Sequence, residues 1–322
     1  MSKKVRKKRK KPNKFVDYMV YLALRLVSVF IQIPDTATSV RMARALGSGL
    51  WAIYKRGRIR AIDNLRQSFP DKDDSWYEAT AKRSLEQIAM LAFDSLRCTR
   101  LITRSTWKQH IVLEDNLAAA LKIIMGGRGV IMVTGHYGNF EVLGYVLATL
   151  GLESYSVARP IDNPYINQYL LGVRENQGQI IVDKKGATEQ ILNILEQGST
   201  LSFVADQNAG KKGIFVDFFG RKASTYKSIG LLAMQYDLPI VVGYCRRIGD
   251  EYKFSVGVEE VIYPDQWKQQ DRPLDWITQQ YTAAIESFIR KDPSQYWWIH
   301  RRWKTRPPAE RRAAKAKEKQ SI

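Results

Sequence analysis

From residue 128 onward the chain alternates short β-rich runs with helical ones, and few architectures accept that order. "GVIMVTG" is followed by "FEVLGYVLATL", "SYSVA" by "NPYINQYLLGVREN", and "QIIVD" by "TEQILNILEQ". Then come "LSFVAD", "SIGLLAMQY", "PIVVGYCRRI" and "YKFSVGVEEV". Continuous apolar strands separated by amphipathic helices predict an α/β layered fold, a largely parallel mixed sheet flanked by helices. The last two strands are consecutive and joined at Gly249-Asp250, which predicts an antiparallel hairpin at one edge of the sheet. Upstream, residues 38 to 101 repeat apolar positions at three and four, a helical layer broken at Pro70-Asp71. Ser75, with Glu78 three residues on, is the expected cap of the second part. No long linker divides the chain, so one α/β domain over residues 34–306 is expected.

The first of these strands carries the chemistry. In open α/β sheets ligands bind at the carboxyl ends of strands, and "VTGHYGNFE" places His136 there and Glu141 in the first turn of the next helix. A carboxylate on one imidazole nitrogen fixes the tautomer and makes the other a better base. Gly135 and Gly138 allow close backbone approach, and the free N–H groups of a helix start can hold a developing oxyanion. A histidine at a strand end also serves simply to finish a turn, and the pair alone does not separate the two. No G-x-S-x-G elbow is present, and Cys98 and Cys245 lie in no CxxC or Cys/His spacing. That excludes an obvious covalent nucleophile and a disulfide framework, and fits a reducing compartment. The three histidines, His110, His136 and His300, form no ligand cluster in sequence, so no metal or other cofactor is indicated.

The net charge of +19 invites a nucleic-acid reading, but its distribution opposes it. Residues 1–14 carry nine basic residues and no acid, and the last twenty-two residues add a further seven net charges, leaving about three for the middle of the chain. Nucleic acid is therefore not an expected partner. Residues 1–14 and 307–322 are read as basic tails. Residues 15–33, "FVDYMVYLALRLVSVFIQI", are mostly apolar but interrupted by Asp17 and Arg25. That leaves a marginal membrane span or a helix lying in the interface, with the lysines of 1–14 meeting anionic lipid. Basic flanks stay on the cytoplasmic side.

"TGHYGNFE", then "ARPIDNP", "VADQNAGKKGIFVDFFGRKAST" and "YWWIHRRWKTRP", preceded by "RIRAIDNLRQSFPD", resemble in order and spacing the bacterial lipid A biosynthesis acyltransferase family. The resemblance runs from about Val20 to Pro307. It implies membership in the wider glycerolipid acyltransferases, with His136 as general base and Glu141 as its orienting partner. It also implies that Arg159 and Asp206 line the substrate site; taken alone, Arg159 reads as a surface ion pair and Asp206 as a turn residue. The implied partners are an acyl carrier protein thioester as donor and a phosphorylated glycolipid as acceptor, at the cytoplasmic face of the bacterial inner membrane. Another glycolipid or a lysophospholipid is the alternative acceptor. Arg159, Lys211, Lys212 and Arg221 are candidates for phosphate contacts. Trp297 and Trp298 are read as core, and His300 as structural.

Overall fold

The structure, a computed structural model, describes residues 13–158, 160–175, 179–183 and 187–312. Four helices come first: α1 (Lys14–Gln32), α2 (Thr36–Ile53), α3 (Lys55–Ser68) and α4 (Asp74–Leu101). The short α5 (Trp107–His110), β1 (Ile111–Leu113) and α6 (Leu117–Ile124) lead into β2 (Val130–Thr134) and α7 (Phe140–Thr149). The alternation continues through β3 (Ser154–Ala158), α8 (Pro164–Glu175), β4 (Gln179–Asp183), α9 (Ala187–Glu196) and β5 (Thr200–Val204). A small hairpin of β6 (Ile214–Phe218) and β7 (Arg221–Thr225) precedes α10 (Ser228–Tyr236), β8 (Ile240–Arg247) and β9 (Phe254–Ile262). Helices α11 (Pro264–Lys268) and α12 (Pro273–Lys291) close the order.

Seven strands form one sheet in the order β1-β9-β8-β2-β5-β3-β4, parallel throughout except for β8 against β9. The alternation of residues 128–262 thus produces the layered α/β fold it predicts. Every residue of β2 is buried, and its side chains feed two cores in turn. Ile131 and Val133 pack in the cluster of Ile285 and Phe288 from α12, while Val130 and Met132 pack with Val142 and Val146 of α7. A strand covered on both faces has no polar side to show, which is why it reads as an unbroken apolar run.

Two expectations are corrected in detail. The β8–β9 hairpin exists, with Gly249 at φ 57° in its turn, but it is not the sheet edge. Ile111–Leu113 pairs parallel to Phe254–Val256 and takes that place; three residues are too few for a period to show. The cap of α4 is Asp73, whose carboxylate accepts from Trp76 N–H at 2.7 Å, and not Ser75, whose hydroxyl donates to Asp73 at 2.8 Å. Asp73 sits two residues earlier and offers a charged acceptor to the helix start, the stronger of the two caps.

Helix α1 covers the apolar stretch expected at 15–33 and begins at Lys14, capped by the Asn13 side chain. By length and composition it could cross a membrane, and only 11% of its most apolar window is buried. Phe15, Leu26 and Phe30 are among its exposed side chains. Arg25, the charge that counts against a span, lies 4.8 Å from the ring centre of Tyr169 and donates to the Tyr21 hydroxyl at 3.1 Å. With Tyr18 and Tyr165 these rings form a seam between α1 and α8, and Asn163 Nδ2 donates to the Asp17 carbonyl at 2.8 Å. Helix α2 continues the surface, exposing Met42, Leu46, Leu50 and Ile53 at helical spacing. Residues 1–12 and 313–322, the greater part of the two basic tails, lie outside the described residues, while 308–312 are helical.

Candidate active site

Strands β2 and β5 are parallel neighbours in register, Thr134 beside Val204, and the Ala205 amide donates to the Thr134 carbonyl at 2.8 Å. The next residues of each strand are therefore brought level. Gly135-His136 leaves one strand end beside Ala205-Asp206 at the other. The His136 imidazole donates from Nδ1 to Asp206 Oδ1 at 2.6 Å, and its backbone N–H donates to Oδ2 at 3.0 Å. An ionised carboxylate only accepts, so Nδ1 carries a proton. Burial by itself would raise the Asp206 carboxyl, but the His136 ring and its hydrogen bonds outweigh burial and hold it well below the usual carboxylate range.

The loop after β2 is held by features that the sequence shows but does not explain. Gly138 has φ 55°, and a Cβ there would stand 2.0 Å from the Cys245 carbonyl oxygen, so glycine is required on both counts. Asn139 caps α7 through Val142 N–H at 3.0 Å and donates from Nδ2 to Asp94 at 3.0 Å. Asp94 is buried against Arg247, an ion pair joining α4 to β8 behind the loop. Burial raises the Asp94 carboxyl, with Arg247 and Asn139 opposing.

Glu141 is placed in the first turn of α7, as its spacing predicts, but the carboxylate on the His136 ring belongs to Asp206. Both Glu141 oxygens accept from Arg174 of α8, at 2.9 Å from Nε and 2.6 Å from the terminal nitrogen. The bidentate geometry raises the Arg174 guanidinium even though burial alone would lower it. Arg174 was not singled out from the sequence; on a helix with no motif, nothing marked it. Arg159 lies outside the described residues. Lys211 and Lys212 lie in a single 3₁₀ turn, Gly210–Lys212, before β6 and do not line the cleft that holds His136, whereas Arg221 borders a second cavity considered below.

His136, Glu141 and Arg174 line one cleft of about 590 Å³. Its walls are otherwise mostly apolar: Leu143 and Leu147 of α7, Ile181 of β4, Ile191 of α9, Phe203 of β5, and Ile229 and Leu232 of α10. In the cleft wall Gln179 Nε2 donates to Ser156 Oγ at 2.9 Å, and a Cβ on Gly144 would stand 2.4 Å from the Gln179 amide. Gln207 Nε2 lies 3.3 Å from His136 Nε2. Phe140 and Trp297 both pack on the ring, each with its ring centre 5.0 Å away and the two 5.5 Å from each other. Trp298, by contrast, is fully buried core.

His300, read from the sequence as structural, packs edge-on against His136 with ring centres 4.5 Å apart. Burial pushes it down to about 4; Asp206 opposes this, while His136 and Arg60 add to it. The ligand atoms of His136, Asp206 and His300 gather within 4.8 Å, close enough to share an ion. The 2.6 Å between His136 and Asp206 is nevertheless a proton-carrying contact. Tetrahedral ligands at about 2.0–2.1 Å from zinc stand ~3.3 Å apart.

A histidine held by a buried carboxylate in the wall of a mostly apolar cleft is equipment suited to an enzyme that handles a chain-bearing substrate. Comparison with known proteins makes it an acyltransferase. Residues 2–305 match the family described as bacterial lipid A biosynthesis acyltransferase, and the chain belongs to that family. It is 28% identical over 306 residues to the lipid A biosynthesis palmitoleoyltransferase of Escherichia coli, covering 91% of this chain and 93% of that one. It is 24% identical over 301 residues to the lauroyltransferase of the same organism, covering 90% and 92%. A lipid A biosynthesis acyltransferase of Haemophilus influenzae is 22% identical over 269 residues, covering 81% of each chain.

Proposed function

We propose that the protein transfers a fatty acyl chain from an acyl carrier protein thioester to a hydroxyl of a lipid A precursor, with His136 as general base. The observation that carries this reading is the division of labour on one ring. Nδ1 is committed to Asp206, and the ring lines a mostly apolar cleft able to take a hydrocarbon chain, with Gln207 beside Nε2 at 3.3 Å. With the chain in the cleft, the thioester carbonyl lies near Nε2. Nε2 takes the acceptor hydroxyl's proton as the oxygen attacks, and Asp206 stabilises the imidazolium that forms. The carbonyl oxygen becomes an oxyanion at the start of α7, where the Phe140 and Glu141 amides have no intrahelical acceptor. Collapse breaks the C–S bond, and the leaving thiolate receives the proton back from His136. Glu141 fixes Arg174 in the cleft wall. Neither cysteine serves as an acyl carrier: both are buried, and burial pushes the Cys98 thiol up to about 12 and Cys245 likewise upward.

The site of action follows from α1. Its exposed apolar face, the stripe on α2 and the basic residues before it suit the cytoplasmic leaflet of the inner membrane. The direct test incubates purified protein with acyl carrier protein thioesters and an under-acylated lipid A precursor, reading the lipid by mass spectrometry. A mass gain of one acyl chain is expected, and His136→Ala should lower its rate by about 10² to 10⁴. Acyl transfer that persists at the wild-type rate in that variant refutes the assignment of the base.

A further inference from the structure

His300, which packs on His136, also lines a second cavity of about 580 Å³. Its cations come from three parts of the chain: Arg60 of α3, Arg221 at the start of β7, and Arg301, Lys304 and Arg306 in the segment that follows α12. No acidic side chain lines it. Arg306 is paired outside the hollow with Glu310 at 2.8 Å. The others have no carboxylate partner among the described residues. Arg221 is answered by neutral oxygens alone, Gln67 Oε1 at 2.9 Å, Ser68 Oγ at 2.8 Å and the Asn64 carbonyl at 3.3 Å, and it lies 3.5 Å over the Trp303 ring. Arg60 donates to the Ile299 carbonyl at 2.9 Å. Burial first, and then repulsion from Arg306, lower the Arg221 guanidinium to about 10.

Five cations gathered round one hollow, of which only Arg306 has a carboxylate partner among the described residues, repel one another, and an anion relieves that repulsion. Four of the five are arginines, whose planar forks match phosphate oxygens two at a time. We infer that this hollow seats a phosphoryl group carried by a substrate of the acyl transfer proposed above, on which the inference rests. The acyl chain then lies in the apolar cleft, the phosphoryl group in the cationic hollow, and the His136–His300 contact between them. Two substrates could bring such a group: the acceptor, as a sugar phosphate, or the carrier protein, through the phosphodiester of its prosthetic arm.

The experiment uses the full chain in detergent with three changes: Arg60→Gln, Arg221→Gln, and the exposed pair Arg301→Gln with Lys304→Gln. The third keeps the test open if Arg221→Gln fails to fold, because neither exposed residue holds a described side-chain bond. Steady-state KM is measured for the phosphorylated precursor, for the same glycolipid after phosphatase treatment, and for the acyl carrier thioester. A rise of about tenfold in KM for the phosphorylated acceptor, absent for the dephosphorylated one, is expected. A rise confined to the thioester supports the site and assigns it to the donor. Separately, N-acetylglucosamine 1-phosphate is titrated against tryptophan fluorescence, which Trp303 under Arg221 should report. If the wild type acylates neither glycolipid, the acyl-transfer reading fails while this titration still decides the hollow. Unchanged KM values, or a titration identical in wild type and all variants, overturn the inference.

Discussion

Two strand ends build the reacting corner, and they differ in how openly they declare themselves. The β2 end announces its content within six residues, since His136 and Glu141 sit one turn apart in "TGHYGNFE". The β5 end contributes Asp206 from seventy residues further on, in a stretch that alone reads as a turn. Yet it is Asp206, 2% exposed, that holds the histidine, while the nearer carboxylate is spent on Arg174. Register carries one strand end to another across any length of intervening chain. Nearness in sequence is the weaker guide to a pair.

That contrast is best broken by matching amides at the two carboxylates. Asp206→Asn should cost the most, about 10³ to 10⁴ in kcat, because an amide no longer enforces the Nδ1–H tautomer or answers the imidazolium. Glu141→Gln should cost much less, roughly tenfold, through a loosened Arg174. Steady-state rates on one lipid preparation check both, with circular dichroism to confirm folding. Equal losses, or a larger loss at Glu141, would show that the nearer carboxylate moves onto His136 when substrate binds.

A smaller effect separates the reacting corner from the surface that presents it. Removing residues 1–33 should lower activity on membrane-borne acceptor several-fold more than on detergent-dispersed acceptor, with flotation on anionic liposomes reporting the lost attachment. Undiminished flotation would move the anchor elsewhere, with the exposed stripe of α2 the next place to cut. The smallest effect concerns His300. Its imidazole is held down to about 4, so between there and its ordinary value near 6.5 the unfolded chain binds a proton that the folded chain refuses. Stability should therefore fall as pH drops through that window. His300→Gln should flatten this acid limb of the melting temperature by a few degrees at most, and an unchanged slope would assign it to other groups.

How much the sequence disclosed follows the same division. Unbroken apolar strands, the breaks at Pro70 and Gly249, and the histidine at a strand mouth are local signals, and each appears where the pattern puts it. β1 is too short to show a period, and the β6–β7 hairpin is hidden in a motif better known for its residues than for its shape. Arg174, Gln207 and the approach of His300 to His136 depend on how helices and the C-terminal segment pack across the sheet, and no spacing along the chain encodes them. The apolar stretch at 15–33 was visible as apolar, but the exposed stripe of α2 and the tyrosine seam beside Arg25 were not.

The strand order has a consequence for the time at which chemistry becomes possible. β5 lies between β2 and β3, so it takes its place only after the chain has run out through α8, β4 and α9 and returned. The Trp297 amide then donates to the His136 carbonyl at 3.1 Å, closing the corner from near the far end of the chain. Contacts so distant along the chain form slowly, because the loops must close before any pairing rewards them. With α1 attached to lipid as proposed, a nascent chain that has completed its first helices would meet the membrane while its histidine still lacks a partner, and attachment would precede competence.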